Sequence, residues 1–118
     1  MHEYSIVTAL LEQCDNLARQ HQAPAVTRVS IKVGVLSGIE PSLLQTAFDT
    51  FKLDSLCQQA ELEMHIQPLA LHCRDCNTDS LPSERAIICP HCGSFNTQVT
   101  DGEDMYLMQL EFDMADNG

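Results

Sequence analysis

Two short cysteine pairs constrain this chain more than any other feature. CRDC carries Cys73 and Cys76, CPHC carries Cys89 and Cys92, and twelve residues separate the pairs. Two residues between thiols let one tight turn aim both at a single ion, and two such turns complete a tetrahedral shell. The intervening loop is shorter than the roughly 15–20 residues common for this layout, but the motif type is the same. Gly93, directly after the second pair, suits the positive φ that such a turn requires. A segment this small cannot bury enough surface to fold alone, so a structural Zn(II) is expected to supply its folding energy. Four thiolates close the shell and leave no position for a substrate. The rival readings, two disulfides or four idle thiols, sit poorly with a chain expected to be cytoplasmic.

That compartment follows from the start of the sequence. No segment is apolar enough to span a membrane, and His2 and Glu3 stand where a secretory leader would carry basic residues. The formal charge is −11, from 17 acidic and 6 basic residues. Such a surface repels phosphate backbones and suits cations or a basic protein face. A zinc-ribbon module for nucleic acid or protein interaction is therefore the alternative, and its nucleic-acid form is the weaker one. Arg74 and Arg85 are the only basic residues of the cysteine segment besides histidines, and no aromatic platform accompanies them. A metallohydrolase is disfavoured as well: the chain has no HExxH and no GxxxxGK[ST] loop. It is not expected to be an enzyme.

Around the cysteine segment the hydrophobic period changes as it does in an α+β domain. Residues 4–20 space Ile6, Val7, Leu10, Leu11, Cys14, Leu17 and Ala18 as one apolar side of a helix, which should stop before Pro24. Residues 26–36 alternate, with Val29, Ile31, Val33 and Val35 opposite Arg28, Ser30, Lys32 and Gly34. A second helix is expected over about 41–53. It starts at Pro41, or a residue or two later if Ser42 and Gln45 form a capping box. Strands follow at about 61–69 and 104–114, the last with Tyr106, Met108, Leu110 and Phe112 on one face and Met105 and Leu107 on the other. The expected architecture is two helices on a three-stranded mixed sheet with an inserted four-cysteine, zinc-ribbon-like domain. The α/β domain would comprise 1–70 plus 103–114, and the insert 71–102. Strand order stays open, as does pairing or swapping of terminal strands into a homodimer.

The opening residues MHE form a second candidate metal site. The Met1 amine, the His2 amide nitrogen and the His2 imidazole close fused five- and six-membered chelate rings, and Glu3 can add a donor. Planar nitrogen arrays favour Ni(II) or Cu(II). The first N–H groups of a helix lack intrahelical partners, so metallation there costs no helical hydrogen bond. Met1 is expected to be retained because His2 is not small. Glu40, at the start of the second helix, is a further candidate, set against the plain reading of a favourable charge at a helix N-terminus. His72 and His91 flank the thiols and read as ordinary polar residues before alternative ligands or pH-sensitive neighbours. Cys14 reads as core, and Cys57 lies in a loop with no role assigned.

MHEYS at the start, VGVLSGIEPSLLQTAFD in the middle, and CRDC…CPHCGS followed by TDGEDMYL resemble, in order and spacing over nearly the whole chain, the HypA/HybF family of nickel metallochaperones. The resemblance implies Ni(II) cargo held through Met1, His2 and Glu3, with an acidic residue at Glu40 able to contribute. It implies zinc on Cys73, Cys76, Cys89 and Cys92. It also implies a GTPase partner, HypB, with delivery to the [NiFe]-hydrogenase large subunit and in some bacteria service to urease. Some members carry histidines directly after the cysteine pairs, where this chain has Asn77 and Gly93, so a histidine-based zinc switch does not carry over.

Overall fold

The computed structural model describes residues 2–82 and 87–113, without the side chain of His2. The elements run α1 (His2–Gln20), β1 (Ala25–Gly34), α2 (Pro41–Phe51), a 3-10 turn (Lys52–Asp54), β2 (Glu61–Gln67), β3 (Ala70–Cys73), β4 (Asp79–Ser80), β5 (Thr97–Asp101) and β6 (Met105–Asp113). β1 is the centre of a mixed sheet ordered β2-β1-β6, parallel to β2 and antiparallel to β6. A parallel pair needs a crossover, and α2 supplies it. Among the described residues, α1 and α2 are the α-helices, and the core lies between them and this sheet.

α1 buries Val7, Leu10, Leu11, Cys14 and Ala18, the i, i+3, i+4, i+7, i+11 series of one helix side. Its end is a Schellman motif. Gln22 takes φ +57°, its N–H bonds the Arg19 carbonyl, and the Ala23 N–H bonds the Ala18 carbonyl at 2.8 Å. Pro24 then bars further helix. α2 begins at Pro41 with Glu40 as N-cap in extended conformation. The start is thus the one at Pro41, and the alternative capping box of Ser42 and Gln45 does not form. Ser42 Oγ instead donates to Glu40 Oε1, and Gln45 donates to Asp49 one turn on. Leu44, Ala47 and Phe48 are buried, while Leu43 and Phe51 lie at the rim, Phe51 edge-on to the Tyr4 ring.

Along β1, Val29, Ile31 and Val33 lie in the core as alternation predicts, although Ser30 and Gly34 between and beyond them are buried too. The register shifts between Val26 and Arg28, so Val26 and Val29 both reach the core. A second shift alters β6: Ser30 faces Gln109 while Ile31 faces Leu107, so Met108 is an extra residue. One inserted residue exchanges the two faces of a strand. Met105, Leu107, Leu110 and Phe112 therefore all pack on the core, and Tyr106 and Met108 face outward. The single-face grouping expected for Tyr106, Met108, Leu110 and Phe112 is corrected by this bulge.

The second sheet, ordered β4-β3-β5, is antiparallel and lies in sequence between β2 and β6. The sequence shows no periodicity there, because the strands are too short, at four, two and five residues, to carry such a signal. Pro68 and Leu69 alone separate β2 from β3. The junction is tight. A Cβ on Gly34 would sit 2.3 Å from the backbone of Gly102. The Leu36 N–H bonds Gly102 O, the Gly34 N–H bonds Asp104 O, and Lys32 Nζ reaches Asp101 Oδ2 at 2.7 Å. No described helix is long and apolar enough to cross a membrane.

Candidate metal centre

The four sulfurs of Cys73, Cys76, Cys89 and Cys92 lie within 4.8 Å of one another, the one such cluster of potential ligands among the described residues. Cys73 and Cys92 approach to 3.5 Å, and Cys76 and Cys89 to 3.6 Å. A zinc ion with sulfur ligands at about 2.3 Å in a tetrahedron sets S···S edges of about 3.8 Å. The donor set fits that ion in both number and spacing. Cys73 and Cys89 are buried, and Cys76 and Cys92 are exposed.

The two turns are built alike. The Cys73 N–H bonds Thr78 O, and the Cys89 N–H bonds Ser94 O. Each pair is followed by a residue in left-handed backbone, Asn77 at φ +56° and Gly93 at φ +75°, asparagine and glycine being the residues that tolerate it most readily. Asp75, which carries no reading in the sequence, ties the turns together: its carboxylate accepts the Ser94 hydroxyl and, at 2.9 Å, the Asn96 amide. These two bonds, Ser94 first, hold its carboxyl below the ordinary range. The only sequence signal is a short polar residue between two ligands.

The thiols do not ionise alike. Backbone N–H groups of Cys92 and His91, with the neighbouring thiols, bring Cys89 down to about 6 against desolvation. The Ser94 N–H favours the Cys92 thiolate, yet its sulfur neighbours and desolvation drive it up to about 12. Four thiolates at such distances would repel one another, so only a bound cation would let all four ionise together. His72 turns away from the sulfurs to pair with Asp79 across β3 and β4, Nδ1 to Oδ1 at 2.7 Å. His91 is exposed.

Of the N-terminal candidates, Met1 and the His2 side chain lie outside the described residues. Glu3 is described, and its position is informative. Only 8% exposed, its Oε2 accepts the Glu40 N–H at 3.2 Å. The first turn of α1 thus abuts the start of α2, and two glutamates 37 positions apart in sequence meet there. Spacing alone gives no signal of that encounter. A groove of about 290 Å³ lined by Gly34, Gly38, Ile39, Glu40 and Ile66 opens beside it.

Comparison with known proteins agrees with this arrangement. Residues 1–112 match the family described as "Hydrogenase/urease nickel incorporation, metallochaperone, hypA". The hydrogenase maturation factor HypA of Shewanella baltica (strain OS195) is 60% identical over 117 residues, covering 99% of this chain and 100% of that protein. That of Aquifex aeolicus is 46% identical over 114 residues, covering 97% and 99%. The solution structure of the nickel metallochaperone HypA from Helicobacter pylori superposes with a TM-score of 0.72 at 34% identity, over 96% of this chain and 98% of that one. The family is one of metallochaperones, not enzymes, and this chain belongs to it: the HypA family of nickel-incorporation factors for hydrogenase maturation.

Proposed function

We propose that this chain captures Ni(II) at its N-terminus and passes it on to the [NiFe]-hydrogenase large subunit with the help of the GTPase HypB, while Cys73, Cys76, Cys89 and Cys92 hold a resident zinc. The cargo donors would be the Met1 amine, the His2 amide and imidazole, and Glu3, with Glu40 able to contribute. The meeting of Glu3 with Glu40 carries the reading: it supports a nickel site built from two chain segments rather than from a frayed end. Zinc at the thiols would hold the second sheet together and do no chemistry, since a closed shell offers no exchangeable position. A terminal site open to solvent has exchangeable positions, which a carrier needs. Residues 1–70 with 103–114 would form the nickel-handling unit and 71–102 the zinc unit, both working in the cytoplasm. Service to urease and a homodimer are further parts of this reading.

The test is a calorimetric nickel titration of zinc-loaded protein with a free Met1 amine, beside protein extended by two residues at the N-terminus and beside His2→Ala. Extension and His2→Ala should each remove about one equivalent of tight nickel binding and leave zinc content unchanged. Equal nickel binding by all three proteins would place the cargo elsewhere.

A further inference from the structure

Asp75 lies inside the first cysteine pair, but its carboxylate is engaged with the second turn. Ser94 Oγ donates to its Oδ2, and Asn96 Nδ2 donates to its Oδ1 at 2.9 Å. These partners lie 19 and 21 positions on in sequence, whereas a carboxylate that merely capped its own turn would accept an N–H about two residues on. The backbone follows the same path. The Arg74 N–H bonds Asn96 O, and the Asn96 N–H bonds Ser94 Oγ, both at 2.9 Å. The pairing of β3 with β5 ends at Cys73 opposite Thr97. Residues 74–75 and 94–96 thus carry the contact beyond the end of the sheet and join the two cysteine turns. Ser94 also touches the ligands, since its carbonyl accepts the Cys89 N–H at 2.9 Å. Cys76 and Cys92, one from each turn, are exposed, and there a competing ligand would approach.

We infer that Asp75 is a positioning residue for the zinc ligands: it clamps the two cysteine turns together through Ser94 and Asn96, and so slows loss of the ion. The inference rests on the reading of the four thiols as a zinc site. Zinc leaves by stepwise detachment of thiolates, and a pair detaches only when its turn swings away from the other. Bonds that span the two turns oppose that local opening. They return a detached sulfur before a competing ligand takes its place. An ionised acceptor makes such bonds stronger than neutral ones. Electrostatics alone gives the opposite sign. Four thiolates around one dication leave a net negative charge, and a carboxylate nearby repels it. Asp75 therefore weakens the site as a charge and strengthens it as a hydrogen-bond acceptor, and substitution separates the two roles.

The experiment follows zinc transfer from full-length, nickel-free protein to excess pyridylazo-resorcinol by absorbance. Wild type, Asp75→Ala, Ser94→Ala, the double variant and Ser94→Thr are compared, after bound zinc has been counted in each by atomic absorption. Asp75→Ala should release zinc about tenfold to a hundredfold faster than wild type, the range typical of groups that orient metal ligands. Ser94→Ala should also release it faster, whereas Ser94→Thr, which keeps the hydroxyl, should match wild type. The double variant should fall clearly short of the product of the single effects, because both substitutions open one contact. Unchanged or slower release from Asp75→Ala would overturn the inference, and slower release would leave Asp75 a purely electrostatic role. Single effects that multiply would overturn it too. If Asp75→Ala purifies without zinc, Ser94→Ala carries the comparison, since it leaves the carboxylate and its Asn96 bond in place; release at the wild-type rate then overturns the inference. Wild-type protein without zinc would defeat the reading of the thiols, and this inference with it. Zinc-loaded wild type beside unchanged variants would defeat the inference alone.

Discussion

Gly34→Ala tests the junction between the two sheets most sharply. Gly34 is not in left-handed backbone. Its lack of a side chain is needed for space alone, because an added Cβ would meet Gly102 C and O at 2.3 Å and Glu103 N at 2.8 Å. These are backbone atoms, so no rotamer change relieves the contact. Relief to an ordinary separation of about 3.4 Å requires a shift of about 1 Å across two hydrogen-bonded segments. Overpacking of this kind costs about 3 kcal/mol, and the stiffer unfolded chain of alanine returns about 0.5 kcal/mol. At about 4 °C per kcal/mol for a domain of this size, the apparent Tm of zinc-loaded protein should fall by about 10 °C. The control is Gly38→Ala, where nothing lies within 4 Å but φ is +78°; its cost is one left-handed residue, about 1 kcal/mol. The assay is thermal unfolding followed by circular dichroism. If Gly34→Ala melts within about 2 °C of wild type, or above Gly38→Ala, the steric argument is wrong.

Cys89→Ala should abolish the zinc equivalent measured by atomic absorption and melt the β4-β3-β5 sheet, while the helical signal of α1 and α2 persists; its loss would mean that the two units do not fold separately. Glu3→Ala removes the acceptor of the Glu40 N–H, and nickel affinity by calorimetry should fall at least tenfold with zinc content unchanged. Asp101 is held below the usual carboxylate range by its bond to Lys32 and then by the Gly102 N–H. A depressed folded pKa means the pair stabilises above the unfolded value near 4 and is lost as pH falls through the folded one. Asp101→Asn should therefore lower Tm at neutral pH, and the gap should close on acidification; a constant gap would refute the linkage.

What can be read in advance divides along physical lines. α1, β1 and α2 are legible because an amphipathic element leaves a periodic trace in the chain. The thiol cluster is legible because ligand spacing is local. The faces of β6 are misread from sequence because Met108 is a bulge, and an inserted residue leaves no mark on composition while reversing every side chain beyond it. The capping box at Ser42 fails for a different reason, since Pro41 and the acceptor that α1 offers to the Glu40 N–H already determine where α2 begins. Long-range encounters leave no trace at all. Nothing near Glu40 announces Glu3, because their meeting depends on how α1 lies over the sheet.

The placement of β4-β3-β5 between β2 and β6 bears on the order in which the chain assembles. β6 must return to β1 across residues 68–104, a loop of 37 residues. Pairing of β3 with β5 sets Ala70 opposite Asp101, which shortens the effective loop to roughly five residues. That is about three halvings, each worth about 0.6 kcal/mol of closure entropy, or about 2 kcal/mol in all. Had the second sheet formed first, the barrier to seating β6 would fall by that amount, on the order of twentyfold in rate. An ion caught early by the four thiols would thus speed completion of a sheet that it never touches.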